Sequence, residues 1–246
     1  MSALGLLAPL AAIPAPDLSH PAVAELAEQF ALDVAGVDET QRSAFFAATG
    51  DQAFAVVQRI YVHDLLPRVR AVLAALGLPA PAAATPYDGE TWPVLESFMA
   101  SVARLDALDP TLTELVRLRG ARLHDCAVCK SRRSQDAIDA GATEDEFAAV
   151  DSWATSSLDP RTKAALALVD TIVLTPYDVP VDTLAAARAA LSEEEIVEVV
   201  LDVMRNAANK LAVALGADAA TVTDGVELFR TDSDGNLQVS GTAGLA

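Results

Sequence analysis

The chain is poor in several of the residue types on which other protein classes depend. Its 246 residues include only two cysteines and three histidines, and aromatic residues make up 5%. Two cysteines exclude a fold that is cross-linked by several disulfides within the chain. With 52% hydrophobic residues and so few aromatics, the core must be built from Ala, Leu and Val, which suits closely packed helices better than a large sheet. The composition therefore predicts an all-α protein.

Basic residues are also scarce, with 17 Lys and Arg against 35 Asp and Glu and a net charge of −18. This charge repels phosphate backbones and anionic membrane surfaces, so neither nucleic acid nor membrane is an expected partner. The apolar opening, residues 1–18, lacks the basic start of a secretory signal and is interrupted by Pro9, Pro14 and Pro16. We expect it to form an N-terminal arm packed on the body of a cytoplasmic protein.

Apolar residues recur at helical spacing through most of the chain. The predicted helices cover 22–34, 40–48, 51–76, 91–105, 112–123, 127–140, 144–154, 160–174, 182–190 and 193–215. Start signals support three of them: capping boxes at Thr143 with Glu146 and at Ser192 with Glu195, and a proline at the first helical position in Asp159-Pro160.

Composition divides the chain into four parts. Residues 1–76 form an N-terminal helical half with the apolar arm, and residues 77–89, rich in Pro, Gly and Ala, form a connector. Residues 90–216 form a second helical part that carries both cysteines. In the tail, residues 217–246, "VELFR" and "LQVSG" flank "TDSDGN", which predicts a short β-hairpin.

The two cysteines lie close together, in the motif Cys126-x-x-Cys129. A helix ending near Leu123, a turn at residues 124–125 and a second helix from Cys126 to Gly141 would make a helical hairpin. Cys126 would then lie at the exposed amino end of the second helix, where backbone N–H groups favour a thiolate. A pair at this spacing is a redox pair, half of a metal site or two small buried side chains.

Positive charge surrounds the motif, although the chain as a whole is acidic. Residues 115–135 contain six cations and one acid, Asp125. Cations near a thiol favour the thiolate, which is the nucleophilic form, so the pattern favours a reactive pair. The alternative is that these side chains form a solvated face or pair with acids elsewhere.

Glu114 also allows two interpretations. In "TLTE" it completes a capping box with Thr111. If the chain folds back at residues 124–125, Glu114 and Arg133 become approximate opposites on the two arms and could lie beside Cys129, in which case Glu114 is a catalytic candidate.

Glu114, eleven intervening residues, Cys126-x-x-Cys129 and the downstream "DAIDAG" resemble the carboxymuconolactone decarboxylase and alkylhydroperoxidase-D superfamily. Its redox members carry the pattern E-x11-C-x-x-C-x3-H. The later "DPRTKAALALVDTI" and "LSEEEIVEVVLDVMRNAANKLAVALG" look like the helices that follow in that family. The resemblance covers roughly residues 90–216.

The resemblance implies a helical fold that forms homo-oligomers and a thiol peroxidase that needs no metal or cofactor. By the same resemblance, Cys129 attacks the O–O bond of a hydroperoxide to give a sulfenic acid, and Cys126 resolves it into a disulfide. A dithiol partner, such as a lipoyl domain or a thioredoxin-like protein, then reduces the disulfide.

One position departs from the family pattern, because Arg133 stands where the redox members have histidine. Histidine relays a proton near neutral pH, whereas arginine stays protonated and can only stabilise a thiolate or hold Glu114 in place. His124, two residues before Cys126, is a candidate substitute; the alternative is a turn histidine that faces solvent.

Three other functions compete with the redox interpretation. Zinc needs four ligands, and Cys126, Cys129 and His124 have no second Cys or His motif beside them. A cofactor-free decarboxylase of the same superfamily would not require the cysteine pair. A redox-inactive helical oligomer is the third. Asn206 and Asn209, in an apolar helix, are predicted to hydrogen-bond across a helix contact near the site.

Overall fold

The computed structural model describes residues 3–78 and 87–244. The centre of the predicted connector, residues 79–86, lies outside the described residues. The elements on both sides are mainly helical, which confirms the all-α prediction.

The N-terminal part consists of helices joined by short 3-10 turns. Its helices are α1 (Pro21–Asp33), α2 (Glu39–Thr49) and α3 (Ala53–Ala75), with 3-10 helices at Ala3–Leu7, Leu10–Ala12, Val34–Gly36 and Gly50–Gln52. Pro21 occupies the first position of α1, and the side chain of His20 accepts the Ala22 N–H. In the apolar opening, Leu7 and Leu10 are completely buried, so this segment packs on the body as expected.

The second part carries the cysteines and most of the buried polar groups. Its helices are α4 (Thr91–Val102), α5 (Pro110–Leu123), α6 (Ala127–Lys130), α7 (Gln135–Asp139), α8 (Glu144–Ala149), α9 (Pro160–Leu174), α10 (Val181–Ala190), α11 (Glu193–Ala207) and α12 (Lys210–Leu215), with a 3-10 helix at Val150–Thr155. The capping boxes at Thr143 and Ser192 and the Asp159 cap before Pro160 are confirmed.

A single large core joins the two parts. Helix α11 lies at its centre and packs against α3, α4, α5 and α9, which explains why ten of its fifteen residues are buried. A smaller apolar cluster lies under α7 and α8. It contains Leu115, Leu118, Ala137, Phe147, Val150 and Leu166.

The predicted C-terminal hairpin is confirmed, but it belongs to a larger sheet. Strands β2 (Val226–Thr231) and β3 (Leu237–Ala243) are antiparallel, and β2 pairs in parallel with a short strand, β1 (Arg132–Ser134), just after the cysteine motif. The hairpin turn contains Gly235 at φ +88°, and a Cβ there would lie 2.2 Å from the Ala100 carbonyl oxygen of α4. Glycine is therefore required for this close approach.

Two predicted helices are wrong because each is interrupted. The predicted helix 127–140 breaks at residues 131–134, since these residues pair with β2 and Ser134 then caps α7. The predicted helix 193–215 ends at Ala207, and α12 begins again at Lys210.

Candidate functional site

The cysteine motif begins where α5 ends. Asp125 has φ +49°, a left-handed conformation that aspartate tolerates better than most residues, and it turns the chain into α6. Cys126 is the N-cap of α6, and its Sγ accepts the Cys129 N–H at 3.4 Å. The two cysteines form a disulfide with 5.3 Å between their Cα atoms. The turn therefore places both sulfur atoms within bonding distance.

Both cysteines are more buried than the sequence suggested. The prediction that Cys126 lies at an exposed helix end is wrong, because Cys126 is 0% exposed and Cys129 is 6% exposed. Packing of α6 against α5 and cover from the C-terminal segment remove Cys126 from solvent. Cys129 nevertheless lines a cavity of about 1100 Å³. It is therefore the cysteine that a substrate in this cavity would meet.

Glu114 lines the same cavity and is 1% exposed. Its carboxylate accepts hydrogen bonds from Arg117 Nε at 2.6 Å, from Arg117 Nη2 at 2.7 Å and from the Ser134 N–H at 3.2 Å. The alternative role in a helix cap is wrong, because Asp109 is the N-cap of α5 and Pro110 its first residue. The bidentate geometry gives two parallel N–H···O bonds, which fix the orientation of the Glu114 carboxylate.

Arg117 is the residue that sequence analysis did not select. Besides Glu114, it donates to the carbonyl oxygens of Cys129 and Arg132, each at 2.9 Å, and its guanidinium lies 5.2 Å from the centre of the Phe229 ring. It therefore connects α5, α6, β1 and β2. Its spacing of three residues from Glu114 on one helix face was the available signal.

The excess of cations around the motif is neutralised in the fold, so the predicted positive environment is wrong. Each of the six cations pairs with an acid, and four of these acids come from distant parts of the chain. The pairs are Arg117–Glu114, Arg119–Asp170, Arg122–Asp151, Lys130–Asp125, Arg132–Glu227 and Arg133–Glu144.

The amino end of α6 is also satisfied by an acid. The Asp218 carboxylate accepts the Ala127 N–H at 2.8 Å, and the Asp218 carbonyl oxygen accepts the Val128 N–H at 2.8 Å. A residue more than 80 positions downstream therefore holds the loop that carries the cysteines.

Arg133 does not hold Glu114 in the way proposed from the sequence. Its Nη1 donates to the carbonyl oxygens of Lys130 and Arg132, and its guanidinium stacks over Phe147 at 5.4 Å. The nearest acid in an ion pair is Glu144, at 3.8 Å. Arg133 thus packs on the smaller apolar cluster, and Arg117 takes the position beside Glu114.

His124 faces neither solvent nor the cavity that contains Cys129. It is 7% exposed and lines a separate cavity of about 250 Å³ together with Asp64, Arg68 and Lys210. Burial lowers the pKa of His124 to about 3, and the positive charges of Lys210 and Arg68 act in the same direction. The interpretation as a solvent-facing turn residue is wrong, and the geometry gives His124 no contact with the thiols on which a proton relay could be built.

The large cavity has mixed walls formed by several elements. Helix α4, the loop after it, α5, the end of α11 and the C-terminal hairpin all contribute. Trp92, Met99, Leu105 and Phe229 provide apolar surface. Asn206 and Asn209, the two amides predicted to lie near the site, also line it. Among the described residues, the one side-chain hydrogen bond of this pair joins Asn209 Nδ2 to the Asn206 carbonyl oxygen within one turn, so the predicted bond across a helix contact is wrong.

Comparison with known proteins identifies the family. The sequence model of the carboxymuconolactone decarboxylase family matches residues 93–171. Uncharacterized protein Rv2313c of Mycobacterium tuberculosis (strain H37Rv) is 43% identical over 222 residues, which cover 87% of this chain and 78% of that protein. The chain belongs to the carboxymuconolactone decarboxylase family.

Two other proteins are similar to this chain. Uncharacterized protein MT2376 of Mycobacterium tuberculosis (strain CDC 1551) shows the same identity and coverage as the H37Rv protein. Uncharacterized protein YdfG of Bacillus subtilis is 29% identical over 126 residues, which cover 50% of this chain and 86% of that protein.

The part of this family member that matches the family model contains Glu114, Arg117 and both cysteines. Helix α11, Asp218 and the hairpin lie beyond it. Within residues 3–78 and 87–244, no cluster of three or more His, Cys, Asp or Glu side chains is arranged to hold a metal ion. In the same residues, no helix combines the length and apolar character needed to cross a membrane.

Proposed function

We propose that this carboxymuconolactone decarboxylase family member is a dithiol–disulfide oxidoreductase that reduces hydroperoxides. One observation carries the proposal: Cys129 lines a large cavity beside the Glu114–Arg117 pair and is already joined to Cys126. A Cα–Cα distance of 5.3 Å lies within the range that a disulfide bridges, which suits the pair to a cycle between dithiol and disulfide.

The reaction balances in three steps. The Cys129 thiolate attacks the outer oxygen of R–O–O–H, the O–O bond breaks, and one proton is taken up to give R–OH and a Cys129 sulfenic acid. The Cys126 thiol then attacks the Cys129 sulfur, which forms the disulfide and releases water. An external dithiol returns two electrons and two protons by thiol–disulfide exchange and leaves as a disulfide.

Glu114 is the group in the site that can accept the Cys129 proton. Its Oε1 already accepts from Arg117 and Ser134, whereas its Oε2 accepts from Arg117 alone. A carboxylate oxygen has two acceptor positions, so Oε2 retains one for the thiol or for an intervening water. Arg117 sets the direction of that oxygen, and Arg133, packed on Phe147, does not replace the missing histidine.

The cavity favours an organic hydroperoxide over hydrogen peroxide. Its volume of about 1100 Å³ is at the upper end of the range for ligand pockets. The apolar side chains of Trp92, Met99 and Phe229 give a hydrocarbon group surface to contact.

The remaining expectations from the sequence are proposals as well. The external dithiol would be a lipoyl domain or a thioredoxin-like protein, and the chain would act in the cytoplasm as a homo-oligomer. None of these roles requires a metal or another cofactor.

Thiol titration provides the test. The reduced chain is treated with cumene hydroperoxide, and free thiols are counted before and after; we expect the loss of two thiols per chain. Consumption of cumene hydroperoxide with dihydrolipoamide as reductant should be catalytic in the wild type and abolished in Cys129→Ser, while Cys126→Ser should stop at a sulfenic acid.

The outcomes separate the alternatives. No loss of thiols would favour a cofactor-free enzyme or a redox-inactive oligomer of the same family. Retained turnover in Cys129→Ser would contradict the assignment of the attacking thiol.

A further inference from the structure

The second cavity, of about 250 Å³, lies apart from the proposed redox site. It is enclosed by the carboxyl ends of α1, α5 and α9, by the middle of α3 and by the first residue of α12. Cys126 and Cys129 do not line it. The proposed peroxidase reaction therefore assigns it no role.

The buried charges around this cavity do not balance. Lys210, which is 4% exposed, and Arg68 share a single buried carboxylate, that of Asp64. Asp33 also lines the cavity, but it is exposed and its carboxylate accepts the Ala35 N–H. Away from solvent, Lys210 and Arg68 therefore share one carboxylate, while the exposed Asp33 carboxylate acts on Lys210 from the edge of the cavity. A bound anion inside the cavity would supply a second buried partner for the two cations.

Two donor groups at the cavity have capacity to bind such an anion. The Lys210 ammonium has three N–H donors, and among the described contacts it makes one hydrogen bond, to Asp64 at 2.7 Å. His124 Nε2 is buried and has no hydrogen-bond partner among the described residues. An unpaired ring nitrogen in a native interior requires an explanation. In the neutral tautomer that carries its proton on Nε2, His124 can donate to an acceptor in the cavity.

Arg68 is part of the cavity wall and is not one of the groups proposed to bind the anion. Its Nε donates to Asp64, its Nη1 to the Val173 carbonyl oxygen and its Nη2 to the Ala31 carbonyl oxygen, all at 2.7–2.8 Å. These bonds hold the ends of α1 and α9 to α3 and use three of the five N–H donors of the guanidinium, one on each nitrogen.

The mouth of the cavity is apolar. Leu32 and Leu174 line it and are 76% and 60% exposed, and the Phe30 ring lies inside with its centre 4.2 Å from Lys210 Nζ. The site thus offers a cationic, hydrogen-bonding floor and a hydrocarbon rim, a combination that suits a molecule with one anionic head and a short apolar tail.

We propose that this cavity binds a small monocarboxylate of a few carbon atoms. The carboxylate accepts hydrogen bonds from Lys210 Nζ and from His124 Nε2, and the alkyl chain contacts Phe30, Leu32 and Leu174. The volume limits the ligand to a short chain.

Calorimetric titration of the oxidised full chain with sodium butyrate tests the proposal without any peroxidase turnover. We expect saturable binding with a Kd below about 10 mM. Butan-1-ol has the same tail without the charge and should bind at least about tenfold more weakly. Sodium chloride at the same concentrations should give no saturable signal. Equal binding of butan-1-ol, or saturable binding of chloride alone, would overturn recognition of a carboxylate.

Variants locate the binding site. Lys210→Met should weaken butyrate binding at least about tenfold. Lys163→Met is the control and should leave binding unchanged, because Lys163 lies near the start of α9, where its ammonium donates to the Ser156 carbonyl oxygen, and does not line this cavity. Because Lys210→Met alters a buried ion pair and could unfold the chain, Leu174→Glu provides an exposed substitution that repels the carboxylate at the mouth. Butyrate binding of wild-type strength in Leu174→Glu would place the ligand elsewhere and contradict the proposal.

Discussion

Glu114 is a buried carboxylate with three hydrogen bonds, two from Arg117 and one from the Ser134 amide. This arrangement fixes the orientation of the carboxylate toward the cavity. Loss of the charge would leave Arg117 without its acid in a buried site and would remove the proton acceptor proposed for Cys129.

We predict that Glu114→Gln slows the first oxidation of the reduced chain by about 10²-fold or more, as expected for loss of a general base. Single-turnover quenching with cumene hydroperoxide measures this rate. Glu96→Gln is the matched control, because Glu96 is an exposed carboxylate on the wall of the same cavity and should leave the rate unchanged. Equal rates in wild type and Glu114→Gln would remove Glu114 from the reaction.

His124 and Glu198 depart from their ordinary ionisation in opposite ways. The pKa of His124 lies at about 3 instead of 6.5. Burial raises the pKa of Glu198 from 4.5 to about 7, and the neighbouring charge of Asp202 acts in the same direction. The folded state therefore binds fewer protons at His124, and more at Glu198, than the unfolded chain does in mildly acidic solution.

Linkage gives the sign of each effect on stability. As the pH falls from 6.5 to 3, unfolded His124 takes up a proton and the folded residue does not, so this residue reduces stability in acid. As the pH rises from 4.5 to 7, unfolded Glu198 has lost its proton and the folded residue retains it, so this residue reduces stability toward neutral pH.

We predict that His124→Gln gains stability relative to the wild type as the pH falls below 6.5, and that Glu198→Gln gains relative to the wild type as the pH rises from 4.5 to 7. The difference in the free energy of unfolding between each variant and the wild type should change by at most about 1.4 kcal/mol per pH unit. Urea unfolding between pH 4.5 and 7.5 measures both. If the free energies of unfolding of the wild type and a variant differ by the same amount at every pH, the residue has the same pKa in the folded and unfolded states, which would contradict the prediction.

Local residue patterns predicted some of the site but not its electrostatics. The cysteine pair was predicted from its own motif. The partner of Glu114 was predicted wrongly as Arg133, although the spacing of Glu114 and Arg117 on one helix already indicated Arg117. The acids that neutralise the other cations could not be predicted, because Asp170 and Glu227 approach Arg119 and Arg132 only after the chain has folded.

Helix α6 is only four residues long, and it depends on contacts from the C-terminal segment. Asp218 accepts its first two free N–H groups, and β2 pairs with the strand that follows it. An isolated helix of this length is not stable in water. The position of Cys129 therefore depends on Asp218 and β2.

We predict that Asp218→Ala lowers the free energy of unfolding by about 1 kcal/mol, the usual cost of a lost helix cap. Asp224→Ala, six residues farther along the same segment, should change it by less than about 0.5 kcal/mol. Thermal unfolding measures both variants. Faster hydrogen exchange at the Ala127 amide in Asp218→Ala, with no change in Asp224→Ala, would assign the loss to α6; unchanged exchange would contradict it.

Elements that depend on neighbouring residues were predictable, and those that depend on distant ones were not. The caps at Thr143 and Ser192 use side chains three residues apart, so the sequence displays them directly. The break at residues 131–134 exists because β2, almost 100 residues later, supplies hydrogen bonds that replace those of a helix. No helical periodicity records that competition.

At the scale of the whole molecule, the net charge of −18 acts on every approaching partner. We predict that reduction of the disulfide by an acidic thioredoxin-like protein accelerates between about 20 and 200 mM NaCl, because salt screens the mutual repulsion. Reduction by neutral dihydrolipoamide should be unaffected and serves as the control. Stopped-flow measurement of both second-order rates tests this, and a rate that falls with salt for the acidic protein would indicate a local attractive surface.

The helical class was predictable from composition because residues that favour helices and small apolar side chains dominate the chain. The sheet was only half predictable. The turn residues of the hairpin are visible in the sequence, whereas the parallel partner β1 consists of Arg132, Arg133 and Ser134, a triplet without strand character by itself.

The C-terminal attachment of the cysteine loop affects how a piece of this protein could be transplanted. The segment that matches the family model ends at residue 171, but Asp218 and β2, which hold Cys129 against its cavity, come later in the chain. A graft of residues 93–171 into another protein would therefore carry the cysteine motif without Asp218 and β2, the contacts that hold it in position.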